Sequence, residues 1–293
     1  MKSSHVHTVV VMDTEVSIRV VGQDAPDAIG RAFDWFHHIE RVCSRFDAGS
    51  ELRRLTSRLN EPVAVSHILF ETTRFALALA EETDGAFDPT VGGRMAQRGF
   101  DRNYITGERV EGVAVAHEPA TFRDVHLDEH QRTLMLDRPL TLDLGAVAKG
   151  FAVDMAAREL NDVGNFAIDA GGDLYLGGRN EDDAPWRVAI RHPRDETSII
   201  AVLEVSNAAV CTSGDYLRRN AANEHHLIDP RTGASAAQLI SATVVAPLAI
   251  VADGLATAAF ILGPDDGVAL LERHGVEGLL ITPTLEQFRT RGA

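Results

Sequence analysis

The chain has 293 residues, 45% of them hydrophobic and 24% charged, the proportions of an ordinary globular protein long enough for a well-buried core. A formal net charge of −15 argues against a nucleic-acid backbone or an anionic membrane surface as partner. Cys43 and Cys211 are too few for a disulfide framework or a structural zinc site.

In chain order, residues 8–21 read as a strand, with β-branched residues in rough alternation, and 24–45 carry helical spacing at Ala28, Ala32, Trp35, Phe36, Ile39 and Val42. A second helix over 68–83 stops at Asp84-Gly85. The Gly- and charge-rich stretch 94–119 is expected to form loops or short strands. Short strand-like pieces span 122–144, ending in Thr141-Leu142-Asp143-Leu144, and a helix is predicted over 147–160. Strands are predicted over 165–176, 186–192, 199–205, 239–245 and 279–282, and helices over 248–262 and 265–274. Strands in runs rather than in strict βαβ alternation favour an α+β fold with largely antiparallel sheet and flanking helices, one domain with two packed lobes. The apolar stretch 240–262 is broken by Pro247 and Asp253, so a buried strand followed by a buried helix is expected rather than a membrane span.

Of the 28 basic residues only Lys2 and Lys149 are lysines; the other 26 are arginines. A lysine kept at one interior position suggests that a compact ammonium is wanted there rather than a wide guanidinium fork. Lys149 is expected in the first turn of its helix, after the turn at Gly145, where free N–H groups and a point charge would attract an anion. The segment is not a Walker A loop, and the chain has no G-x-G-x-x-G. Asp253 and Thr257, four apart in an otherwise apolar helix, share a face and could bind a hard cation; a capping Asp and a Thr bonded to a backbone carbonyl is the structural alternative. In His225-His226-Leu227-Ile228-Asp229-Pro230-Arg231-Thr232-Gly233 the second half is turn chemistry, and His226 is the better general-base candidate. The Gly-framed stretches from Gly85 to Gly92 and at Ser213-Gly214-Asp215-Tyr216 could be ligand approaches or simple turns.

Taken in order, these stretches resemble the ApbE family of FAD:protein FMN transferases. The resemblance is carried by Met12-Asp13-Thr14, Ser44-Arg45-Phe46 with Ser50-Glu51-Leu52, Gly85 to Gly92, and Asp143 to Gly150. It continues through Asp169-Ala170-Gly171-Gly172-Asp173, Ser213 to Tyr216, His226 to Gly233, and Ala252 to Thr257. It implies cleavage of the FAD pyrophosphate, esterification of FMN to a Ser or Thr of a target flavoprotein, and release of AMP. It also implies Mg²⁺, with Mn²⁺ as an alternative, on the Ala146 carbonyl, the Asp253 carboxylate and the Thr257 hydroxyl. Flavin and adenine contacts carry over to Met12, Phe46, Ala86, Phe87, Asp88, Asp143, Lys149 and Leu227, and the base to His226. Two departures stand out: Asp13 replaces the family's Gly after Met12, and Thr56 stands where Asn follows Leu55. Residues 1–13 lack a basic start followed by an apolar run, and no lipoprotein-type cysteine is near, so a cytoplasmic location is expected although many relatives are periplasmic. An FAD pyrophosphatase, or a flavin-binding protein without turnover, would use the same residues.

Overall fold

The computed structural model describes residues 2–103, 107, 109, 120–216 and 218–291. The chain opens with β1 (Ser4–Val11), β2 (Thr14–Val21), α1 (Pro26–Cys43), α2 (Glu51–Thr56), β3 (Val63–Ala64), α3 (His67–Glu82) and α4 (Gly92–Gln97). Then come β4 (Val125–Asp128), β5 (Thr133–Leu136), α5 (Gly145–Glu159), β6 (Phe166–Ala170), β7 (Leu174–Gly177), β8 (Trp186–His192), β9 (Asp195–Val205) and β10 (Ala208–Gly214). The chain closes with β11 (Ser241–Ala246), α6 (Ala249–Leu262), α7 (Pro264–Arg273), β12 (Glu277–Ile281) and β13 (Gln287–Arg289). It divides into two compact units: Met1–His37 with Lys149–Tyr216 and Ala237–Ala293, and His38–Ala148 with Leu217–Ala236.

The first unit is built on an eight-stranded sheet in the order β1-β2-β6-β7-β10-β11-β12-β13, every pairing antiparallel. The β8–β9 ribbon packs its alternate residues Trp186, Val188, Ile190 and Val205 with Val21, Leu176 and Val210 of that sheet. This is the period-2 burial that half-buried strands require. Helix α6 is buried almost throughout, against β10 and β11, which explains why its sequence is apolar on all sides. The 240–262 stretch therefore splits into β11 and α6, and among the described residues no helix is long and apolar enough to cross a membrane.

The second unit holds α2, α3, α4 and the small antiparallel sheet β3-β5-β4. Ser50 caps α2 by accepting from Arg53 N, and Ser66 caps α3 by accepting from Leu69 N. Most of the 94–119 stretch lies outside the described residues.

The α+β class with antiparallel sheet stands, and three local expectations need correction. Residues 8–21 are not one strand but the ends of a hairpin, because Met12 and Asp13 both adopt positive φ (53° and 60°), the two-residue turn that closes β1 on β2. The 165–176 stretch is likewise two strands, broken by Gly171 and Gly172 at φ 66° and 98°. Finally, 141–144 is no strand: Thr141 makes a single bridge to Val91, and α5 begins at Gly145.

Candidate active site

In the first unit the site chemistry is set by how α5 meets the start of α6. A glycine inside a helix costs about 1 kcal/mol relative to alanine, so Gly150 needs a reason. A Cβ there would stand 2.5 Å from the Ala249 carbonyl oxygen and 2.8 Å from Ile250 Cα, so only glycine lets the backbones approach this closely. One turn later the buried Asp154 carboxylate accepts from Ala249 N (2.7 Å) and Ile250 N (3.0 Å), capping α6 where Leu248 offers no side-chain cap. Burial pushes the Asp154 carboxyl up to about 6, against the lowering effect of those two N–H bonds.

Held this way, α6 presents Asp253 and Thr257 on one face, both buried. Asp253 Oδ2 accepts from Gly150 N at 3.2 Å, and the Thr257 hydroxyl is 3.0 Å from that of Ser213 at the end of β10. Lys149 forms an ion pair with Asp173, the last residue of the β6–β7 turn. That turn is fixed by the Asp169 carboxylate accepting from Gly172 N (2.9 Å). Burial works against the Lys149 charge, but Asp173 and Asp253 outweigh it and push its pKa up, so the side chain is an ammonium. Lys149 is thus one turn deeper than expected: α5 starts at Gly145, so the free N–H groups belong to residues before it. Cys211, in the same cluster, is driven well above its ordinary pKa by burial and then by Asp173 and Asp253, which excludes it as a thiolate nucleophile. Met12 and Asp13 form the β1–β2 turn, and Asp is among the few residues that tolerate a left-handed backbone.

In the second unit a serine-pinned loop places the aromatic. Ser44 Oγ accepts from Phe46 N (3.1 Å) and Asp47 N (3.2 Å), and Ser50 Oγ donates to Ser44 O (2.6 Å). This fixes Arg45, whose guanidinium lies 4.1 Å from the centroid of the half-buried Phe46 ring. Arg45 Nε pairs with Asp143 Oδ2 at 2.6 Å, and its Nη2 donates to Phe100 O at 2.8 Å. Asp143 Oδ1 accepts from Gly145 N (2.8 Å) at the start of α5, and its own N–H donates to Pro89 O (2.7 Å). Ala146, half-buried, follows in that first turn.

The Gly85–Gly92 stretch is a buried turn. Asp88 Oδ1 accepts from both N and Oγ1 of Thr90 (2.8 and 2.7 Å), and Oδ2 accepts from Phe122 N (2.9 Å). Burial raises the Asp88 carboxyl above its ordinary range in spite of these bonds. Ala86 and Phe87 are buried beside it, and Leu227 is buried near the histidines.

The two histidines differ. His225 is fastened by its Nε2 to Ala236 O at 2.8 Å. His226 Nδ1 is buried with no hydrogen-bond partner among the described residues, and Phe100 meets its ring edge-on at 6.4 Å and 65°. Burial, then the Arg218 charge, depress His226 to about 3, while Asp143 pulls the other way. The imidazole is therefore neutral at physiological pH, in surroundings that disfavour its protonated form.

The sequence motifs assign no role to Arg45, Asp154, Asp173 and Ser213. Three of these stand inside motifs quoted for other residues, and Asp154 follows a mid-helix glycine four residues on, the one signal that could have exposed the α5–α6 contact. The carboxylate of Asp253 and the hydroxyl of Thr257, one turn apart on α6, are oxygen donors of the kind a hard cation takes. Among the described residues no group of three His, Cys, Asp or Glu is placed to hold a metal, so such a cation would need water or phosphate oxygens to complete its shell.

Curated relatives called FAD:protein FMN transferase include one from Vibrio cholerae, 34% identical over 259 residues (84% of this chain and 76% of that protein), and one from Escherichia coli K12, 31% identical over 264 residues (86% and 75%). Among solved structures, the flavin transferase ApbE from Vibrio cholerae superposes with a TM-score of 0.87 at 28% identity, covering 99% of this chain and 98% of that one. The ApbE protein from Thermotoga maritima gives 0.86 at 29%, covering 99% and 97%. The family model described as "ApbE family" matches residues 12–280. The chain belongs to the ApbE family and is a transferase.

Proposed function

We propose that this enzyme transfers FMN from FAD to a Ser or Thr hydroxyl of an acceptor flavoprotein and releases AMP. The observation that carries this reading beyond family membership is His226, a neutral imidazole with an unpaired buried nitrogen, on a loop whose other histidine is fixed structurally. In the reaction a P–O bond forms between the acceptor oxygen and the FMN phosphorus, and the P–O bond to AMP breaks. The acceptor proton goes to His226, and AMP departs with the electrons of the broken bond. A conjugate acid near 3 makes a weak base, but a bound pyrophosphate brings negative charge that raises it toward the working pH.

Phosphoryl transfer of this kind depends on positioning and charge neutralisation more than on covalent help. Lys149 supplies a fixed ammonium, and Phe46, Asp143, Met12, Ala86, Phe87, Asp88 and Leu227 hold the flavin nucleotide. Asp253, Thr257 and the Ala146 carbonyl would hold Mg²⁺, or Mn²⁺ in its place, which when bound neutralises phosphate charge and polarises the P–O bonds.

His226→Ala is expected to lower transfer by about 10²–10⁴-fold while FAD binding persists, since only the proton acceptor is lost. Single-turnover transfer and flavin fluorescence titration measure the two effects; unchanged transfer would sink the assignment of the base. AMP release that does not depend on the acceptor would instead indicate water as nucleophile and a pyrophosphatase.

A further inference from the structure

We infer that Arg45 is a positioning residue for this reaction, one guanidinium fixing the Phe46 ring and the Asp143 carboxylate and, through Phe100, the His226 ring. The inference rests on the transfer reading for what those residues do, but the juxtaposition itself does not. Arg45 is only 6% exposed, and its three partners are of three kinds. Its face covers Phe46, Nε meets Asp143, and Nη2 donates to the Phe100 carbonyl. The Phe100 ring then touches His226 edge-on. Each partner is a site residue or abuts one.

No other cation type could span them. A lysine ammonium is a single point on a flexible stem: it could meet Asp143 or the Phe100 carbonyl, but it has no planar face to lay on Phe46. Nε, which meets Asp143 as an ion pair only, and Nη1 are both buried with no hydrogen-bond partner among the described residues, so the fork is placed for these contacts at the expense of two donors. Such a cost is expected where geometry serves function rather than packing.

The arrangement also sets the field at the base. The charged and titratable groups facing His226 are Arg218, Asp143 and His225, and Asp143 is the one that favours protonation. While Arg45 is paired with Asp143, its positive charge offsets that carboxylate. Removing Arg45 leaves the carboxylate unopposed, so protonated His226 becomes easier to form.

The test uses Arg45→Met, Arg45→Lys, Asp143→Asn and the Arg45→Met/Asp143→Asn double variant in the full chain, each checked for a native circular dichroism spectrum and cooperative melting. FAD binding is read by flavin fluorescence, transfer as separate kcat and KM, and His226 titration by NMR of the imidazole nitrogens, assigned with His226→Gln. Both Arg45 variants are expected to bind FAD about tenfold more weakly or worse, because displacement of the ring and the carboxylate misplaces the flavin. In Arg45→Met the His226 titration is expected to move up by about one unit or more, and the double variant to bring it back. The acid limb of the rate profile should follow. If Arg45→Met does not fold, Arg45→Lys carries the test: it keeps the charge, so it should weaken FAD binding with little change in the His226 titration. FAD affinity within about twofold of wild type in the folded variants, with an unmoved His226 titration, would overturn the inference. If the wild-type protein fails to bind FAD, the flavin reading falls by itself, while the titration still decides the role of Arg45 because it needs no flavin.

Discussion

Lys149 and Arg45 each sit against an aspartate below the surface, and they are held in opposite ways. At Lys149 the acid is the deeper partner: the Asp173 side chain is 4% exposed and that of the lysine 23%. At Arg45 the order reverses, with the arginine side chain 6% exposed and that of Asp143 17%. The ammonium is thus held by one ion pair, with Asp253 as a second acid acting on it, whereas the guanidinium is consumed by a carboxylate, a carbonyl and an aromatic face. At these two sites a point charge meets one carboxylate and a planar fork meets three kinds of partner, as the two side chains' shapes allow.

The sharpest way to break this comparison is to remove each acid. Asp143→Ala strands a deeply buried guanidinium and uncaps Gly145, and is expected to cost about 3–5 kcal/mol in urea unfolding. Asp173→Ala leaves an ammonium that can turn toward water, so its cost should be smaller, about 1–3 kcal/mol. Equal costs, or the reverse order, would show that the two pairs do not differ as described.

The platform under Lys149 can be tested next. Gly150→Ala improves helix propensity yet drives a methyl into the Ala249 backbone, and is expected to destabilise by about 1–3 kcal/mol. A stabilised variant would mean that α5 and α6 are not in close contact.

The pH effects have opposite signs in the two regions. Asp154 is raised from 3.8 to about 6, so the folded state holds its proton longer than the unfolded chain. Its contribution to stability is present at low pH and is lost as pH rises through roughly 4 to 6. His226 is lowered from 6.5 to about 3, so the unfolded chain takes up the proton first and stability falls as pH drops through that window. Melting temperatures across this range should therefore rise toward acid in His226→Gln relative to wild type, and decline toward acid in Asp154→Asn relative to wild type. Parallel curves for all three proteins would remove both assignments.

Much of this was legible in the residues themselves. The helical spacing of α1 and α3, the apolar run of α6 and the paired Asp253 and Thr257 follow directly from periodicity. Positive φ at Met12 and Asp13 leaves little mark in the sequence, because Met is not a usual turn former and Asp13 is not followed by the glycine that signals a tight hairpin. Gly145 and Ala146 read as turn rather than helix, so the sequence pattern starts α5 late and puts Lys149 a turn too early. Arg45 was hidden for a different reason: its partners come from residues 46, 100 and 143, and no local pattern announces a contact that only the fold assembles.

The central claim is transfer of FMN to protein, and intact-mass spectrometry of an acceptor flavoprotein incubated with this enzyme, FAD and Mg²⁺ tests it most directly. The account predicts a gain equal to FMN less one water, located on a Ser or Thr, with one AMP released for each adduct. FAD consumed to FMN and AMP with the acceptor unchanged, or FAD left intact, would contradict it.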